Sequence, residues 1–324
     1  MKHADRVGLY KEIEKARGSR LVAFVNGERL GLQTQIADDA VPPFVSVLDE
    51  IGPSAKITLL LTTNGGQTSA GWTLINLLRS FCDELEVLVP WKAMSAGTLM
   101  ALGADKIVMT KQASLGPIDP SLANHPLAPM VQGPAGQPFH LPVSAEAIRG
   151  YLNEVKKDIR DPSALAQIWT SLSSQIHPLV LGDIFRLGDQ IRNLAKALIE
   201  RQVPDTRKQK EIIQLLCSDS GSHDYTINRR QAASIGLSIE KPSAELYRVL
   251  SEVTKSYNEE LRTLEPFSPQ SLLGGQQRNR YTLVRGLIES TDASYGFVSE
   301  GEAAIDPAGN VSDSKSFEGW RKLP

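Results

Sequence analysis

The sequence predicts an α/β protein built around a parallel sheet, and three observations carry that prediction. Segments 21–25, 57–61, 85–89 and 107–109 are near-continuous apolar runs, as strands are when both faces of a parallel sheet are covered. Helical stretches alternate with them, as βα units require. Two glycine-bearing turns, one holding Gly65 and Gly66 and one holding Ser95, Ala96 and Gly97, follow the second and third strands, where open α/β sheets place their ligands.

Taken in order, residues 1–20 carry Val7, Leu9, Tyr10 and Ile13 on one face and read as a helical extension. Strand 21–25 closes on the turn signal Asn26-Gly27. Asp38 and Asp39 precede a helix with Val41, Phe44, Val47 and Leu48 at helical spacing. Strand 57–61 runs into Thr62-Thr63-Asn64-Gly65-Gly66, and the next helix turns Ala70, Leu74, Leu77 and Leu78 inward. Strand 85–89 stops at Pro90, and Ala93 to Thr98 opens an apolar helix through Leu102 before strand 107–109. Segment 117–142 holds seven prolines and reads as an ordered loop or lid. Helices are predicted at 143–159, 163–174, 179–200, 208–216, 229–234 and 244–264. A Gly/Gln-rich break at 274–277 precedes a hairpin, 281–289 with 295–304, and a frayed tail. The core thus reads as 21–240, with 241–324 as an appendage.

Composition narrows the function. Of 324 residues, 35 are Lys or Arg and 37 are Asp or Glu, a net charge of -2. No basic field favours a nucleic-acid partner. Two cysteines, Cys82 and Cys217, exclude a disulfide scaffold and a cysteine-only zinc site. Polar residues follow Met1, and no apolar run reaches the ~18–20 residues that span a bilayer. The expectation is a soluble cytoplasmic protein with no membrane span. No Walker A, dinucleotide-binding, HExxH or magnesium-binding pattern occurs, so no cofactor and no metal are predicted.

The two glycine turns carry the chemistry. Glycines after strand 57–61 let backbone N–H groups approach a substrate unpaired, the way an oxyanion hole is made. Ser95 stands at a helix entrance, where the positive field favours an alkoxide; the structural alternative for such a serine is a helix cap.

Segments 59–71 and 93–120 (AMSAGTLMALGADKIVMTKQASLGPIDP) resemble the Clp-fold serine peptidases, and among them the serine dehydrogenase proteinase (SDH) family, with NfeD-type and signal-peptide-peptidase-A enzymes as relatives. The resemblance continues through 177–199 and through 220–237 (SGSHDYTINRRQAASIGL). It implies a Clp/crotonase-like fold of repeated β-β-α units with added C-terminal helices and a hairpin. It also implies a serine-type endopeptidase acting on a protein or peptide substrate, in a homo-oligomer. Carried over residue by residue, Ser95 is the nucleophile, and Gly65 or Gly66 and Ala96 are the oxyanion donors. Asp224 falls in the segment holding the Clp subunit's triad aspartate.

The general base is open. Ile118 stands where the Clp subunit has its histidine, and His125 and His140 lie off that spacing. The NfeD-type enzymes use a lysine from the following helix, which here offers Lys156 and Lys157. At about 100° per residue, Lys156 falls about 70° from the apolar stripe of Ile148, Leu152, Val155 and Ile159, and Lys157 about 170°. A flanking position would desolvate the Lys156 amine and supply a neutral base. The candidates are therefore Lys156, Lys157, His125 or none. Asp224 would orient a base, brace the loop or cap a turn. His177 and His223 read as structural, and Lys92 as solvent-facing. Two rivals stand beside the peptidase: a Clp-fold scaffold that lost its base, and a crotonase-type acyl-CoA enzyme, which needs no serine.

Overall fold

A computed structural model describes residues 2–119, 121–122, 125–133, 137–219, 225–306 and 309–324. One eight-stranded sheet organises the chain. Its strands are β1 (Arg20–Asn26), β2 (Ser54–Thr62), β3 (Cys82–Val89), β4 (Lys106–Met109), β5 (Ile239–Glu240), β6 (Arg278–Glu289), β7 (Ser294–Ile305) and β8 (Val311–Lys322), in the spatial order β5-β4-β3-β2-β1-β6-β7-β8. The first five are parallel, with Val22 opposite Leu59 and Leu59 opposite Val87. β6 then pairs antiparallel with β1, and β7 and β8 continue antiparallel.

Because side chains alternate across a strand, each apolar run feeds two cores. On one face Phe24, Leu59, Leu61, Val87, Val89 and Met109 pack against α2 (Val41–Ile51), α3 (Thr68–Ser80), α4 (Ala96–Leu102) and α7 (Pro178–Ile199). On the other, Leu21, Ala23, Leu60, Leu88 and Val108 meet α1 (His3–Arg17) and α10 (Ala244–Leu261). The remaining helices are α5 (Ala145–Asp158), α6 (Pro162–Gln175), α8 (Thr206–Gln214) and α9 (Arg229–Ser234). α5 and α7 close a smaller cluster around Ile148, Leu152, Val180 and Ile184. No described helix is long and apolar enough to cross a membrane.

Three expectations about the termini change. Residues 1–20 are not an extension: α1 buries Tyr10 and Ile13 fully, together with Arg6. Arg6 clamps Glu289 of β6 with two hydrogen bonds of 2.9 and 2.7 Å and reaches Glu260 of α10 at 2.6 Å. Residues 241–324 are likewise no appendage, since α10 covers one sheet face and β6 hydrogen-bonds β1. The expected frayed tail is the ordered strand β8, paired to β7 along its length.

Candidate active site

At the carboxyl ends of β1, β2 and β3 a short three-stranded sheet, Lys92–Ala93 beside Ser114–Leu115 beside Ile227–Asn228, rims the carboxyl end of the main sheet. The loop after β2 is bolted to it: the Thr63 N–H donates to Lys92 O at 3.0 Å and the Met94 N–H donates to Thr63 O at 3.0 Å. These two bonds set the glycine turn against the segment carrying Ser95.

The glycines are required by the backbone and by the space around them. Gly65 sits at φ +106°, and a Cβ there would lie 2.8 Å from both Met94 O and the Ser95 Cβ, with Ala96 N at 3.4 Å. Gly66 sits at φ +147°, where a Cβ would lie 2.2 Å from Ile36 O. The Ile36 N–H donates to Gly65 O and the Gln67 N–H donates to Ile36 O, both at 2.8 Å. Since the N–H and C=O of one trans peptide point opposite ways, the Gly66 N–H faces away from Ile36. It has no acceptor among the described residues. The Gly65 N–H, by contrast, is committed to Thr63 Oγ1 at 2.9 Å. Of the two glycines, Gly66 is the one with a donor to spare.

Ser95 holds φ +50°, ψ -114°, one of two positive-φ non-glycine residues among those described. Such a conformation costs of order 1–3 kcal/mol and collects at functional sites. Ser95 is the residue before α4, yet its hydroxyl makes no capping bond. Its structural alternative, the helix cap, is therefore not what the side chain does. The Gly97 N–H is taken by Met94 O at 2.8 Å, whereas the Ala96 N–H, the first of the helix, has no acceptor among the described residues. Thr98 locks the helix start from below: its hydroxyl lies 2.7 Å from Ala93 O and 2.8 Å from Gly116 O and accepts the Gly116 N–H at 3.0 Å.

The base candidates fall elsewhere. Lys156 is exposed on α5, so the desolvated, stripe-flanking position expected for it is not met. The helix buries Ala145, Ile148 and Leu152 and leaves its last turn in solvent. Lys157 is also exposed and pairs with Glu154 at 2.6 Å. His125 faces Asp183 at 3.4 Å, His140 lies against Ala128 O at 3.1 Å, and His177 caps α7 by accepting the Leu179 N–H at 3.2 Å. Lys92 is not a free surface charge; it pairs with Glu28 at 3.0 Å. Ile118 is fully buried core. Asp224 and His223 lie outside the described residues. No amine or imidazole hydrogen-bonds the Ser95 hydroxyl among the described residues.

Sequence reasoning missed Asn26 and Thr63. The Thr63 hydroxyl donates to Asn26 Oδ1 at 2.6 Å while accepting the Gly65 N–H, and both side chains are buried. A hydroxyl residue directly ahead of a glycine turn was the available signal.

Residues 2–135 match the family model described as ClpP-like SDH-type serine proteinase. Two uncharacterized proteins of Methanocaldococcus jannaschii are similar over most of their length. One is 26% identical over 80% of this chain and 82% of its own; the other is 25% identical over 72% and 71%. Among solved structures, a ClpP1 variant from Listeria monocytogenes superposes over 74% of this chain and 99% of its own, at 15% identity and a TM-score of 0.38.

Proposed function

We propose, from the match of residues 2–135 to the family model described as ClpP-like SDH-type serine proteinase, that the chain is a serine peptidase whose nucleophile is Ser95. The observation that carries this reading is Ser95 itself, strained into positive φ with an uncapped hydroxyl and set so close to Gly65 that a Cβ there would lie 2.8 Å from the Ser95 Cβ. In the proposed reaction Ser95 Oγ bonds to the carbonyl carbon of a peptide and passes its proton to a base. The Gly66 and Ala96 N–H groups receive the oxyanion. The C–N bond then breaks, the amine leaves with a proton, and water hydrolyses the acyl-enzyme.

Lys156 is proposed as the base. It would act with α5 folded over Ser95, an approach distinct from its exposed position in the single chain. Asp224 is proposed to support the site from segment 220–237. A homo-oligomer is proposed as the working form, and α6 is its candidate face, because no residue of that helix is buried. A second reading, a non-catalytic Clp-fold binding protein, is favoured by one observation: the Ser95 hydroxyl has no basic partner among the described residues.

A fluorophosphonate probe separates them. The peptidase predicts labelling that disappears in Ser95→Ala and drops about 100-fold or more in Lys156→Ala but not in Lys157→Ala, since general-base assistance contributes about 10²–10⁴-fold. An unlabelled, well-folded wild type across pH 7–9 would favour the binding protein.

A further inference from the structure

We propose that Thr63 and Asn26 are positioning residues that set the direction of the oxyanion loop, and that Gly97 is glycine in order to admit Thr63. The inference rests on the peptidase reading and deepens it. Two peptide planes meet at Gly65. The plane carrying its C=O is pinned from one side by the Ile36 N–H at 2.8 Å. The plane carrying its N–H is pinned from the other by Thr63 Oγ1 at 2.9 Å. With both planes held, the Gly66 N–H has a single direction available, away from Ile36.

The Thr63 hydroxyl has one proton, and its direction is settled by Asn26, whose Oδ1 accepts it at 2.6 Å. That leaves an oxygen lone pair for the Gly65 N–H. Asn26 ends β1 and Thr63 follows β2, adjacent parallel strands, so the relay is anchored in the sheet rather than in the loop it directs. Buried hydrogen bonds of this kind hold functional groups in orientation, and removing such a partner typically costs 10–100-fold in function at metal sites.

The other half of Thr63 faces the nucleophile's helix. A Cβ on Gly97 would lie 2.4 Å from Thr63 Cγ2 and 3.4 Å from the Ala93 Cβ. Gly97 has no positive φ, so its backbone tolerates alanine and the obstacle is the threonine methyl. Placing that methyl against Gly97 turns the hydroxyl toward Asn26 and Gly65. The two positions are thus a matched pair joining the oxyanion loop to the Ser95 helix.

The test measures saturable fluorophosphonate inactivation, in which the Ser95 oxygen bonds to phosphorus and fluoride leaves, while the phosphoryl oxygen takes the oxyanion position. Thr63→Val keeps the shape and removes the hydroxyl. It should lower the inactivation rate constant about 10–100-fold with the half-saturating concentration changed less than about threefold. Thr63→Ser should return the rate constant to within about threefold of wild type. Gly97→Ala should lower it about 10-fold or more, and Thr63→Ser in the Gly97→Ala background should restore most of the loss, a coupling expected only of residues in contact. A Thr63→Val enzyme with an unchanged rate constant, or a Gly97→Ala defect that Thr63→Ser leaves untouched, would overturn the proposal. If Thr63→Val does not fold, the Gly97 pair decides alone. Labelling that survives Ser95→Ala would instead overturn the peptidase reading beneath it.

Discussion

Ser95 holds a positive φ that the residues around it sustain. Its positive φ is sustained by neighbours on three sides: the Gly97 N–H on Met94 O, the Thr98 hydroxyl under the helix start, and Gly65 against its Cβ. Gly66 is the companion constraint, because a methyl there would occupy the carbonyl of Ile36 at 2.2 Å. Gly66→Ala is expected to destabilise the fold by about 2 kcal/mol or more, combining a backbone penalty with a backbone clash. Denaturant unfolding of the variant beside wild type measures this. A variant within experimental error of wild type would show that the turn relaxes freely.

Elements are joined by charge where apolar contact runs out. β5 is only two residues long, and Glu240 at its end is tied to α1 by Arg17 at 2.6 Å and to β4 by Lys106 at 3.0 Å. Arg17 also clamps the fully buried Glu86 of β3. Hydrogen bonding from Arg17, more than the Lys106 bond and against some desolvation, lowers the Glu240 carboxyl to about 2. A carboxyl depressed in the folded state stabilises above its unfolded value, near 4.5, and loses that contribution as pH falls toward about 2. The stability advantage of wild type over Glu240→Gln should therefore be constant above about pH 5 and shrink steadily below it. Urea midpoints of the two proteins between about pH 6 and pH 3, the range in which a carboxylate titrates, check the sign. An advantage that grows in acid would refute the clamp.

At the scale of the whole molecule, the two ends of the chain meet. Arg6 and Tyr10 from α1, Tyr257 from α10 and Glu289 from β6 form one buried network, with Tyr10 bonded to both Tyr257 and Glu289 and Ser294 donating to Glu289 at 2.8 Å. Burial, along with the charge of Glu289, pushes the Tyr257 phenol up, which keeps it a neutral donor. The contrast is α6, which half-buries Leu172 against the α5–α7 cluster but fully buries no residue in the single chain, while Trp169 is 41% exposed and Leu179 at the start of α7 is 62% exposed. If copies of this chain associate through that face, light scattering will give a multiple of 35.4 kDa, and Trp169→Glu will move the distribution toward the single chain. A monomer for both proteins would remove the oligomer proposal.

The sequence by itself determined the four central strands and the two turns that follow them. An apolar run with covered faces and a glycine forced by backbone geometry are both local facts, written wherever the chain needs them. It also placed most helices of the second half within a few residues, because a stripe at helical spacing reports that some face is covered. What the stripe does not report is what covers it, and so the stripe places Lys156 at a buried edge that α5 leaves in solvent. The polar strand β8 was illegible for a related reason: most of its residues are exposed, and its order comes from backbone pairing with β7. Only the tertiary structure decided that the ends of the chain complete the sheet, that the Gly65 N–H is spent on Thr63, and that Asn26 stands behind it. Each of these depends on groups distant in sequence and adjacent in space, which only the folded chain brings within hydrogen-bonding distance.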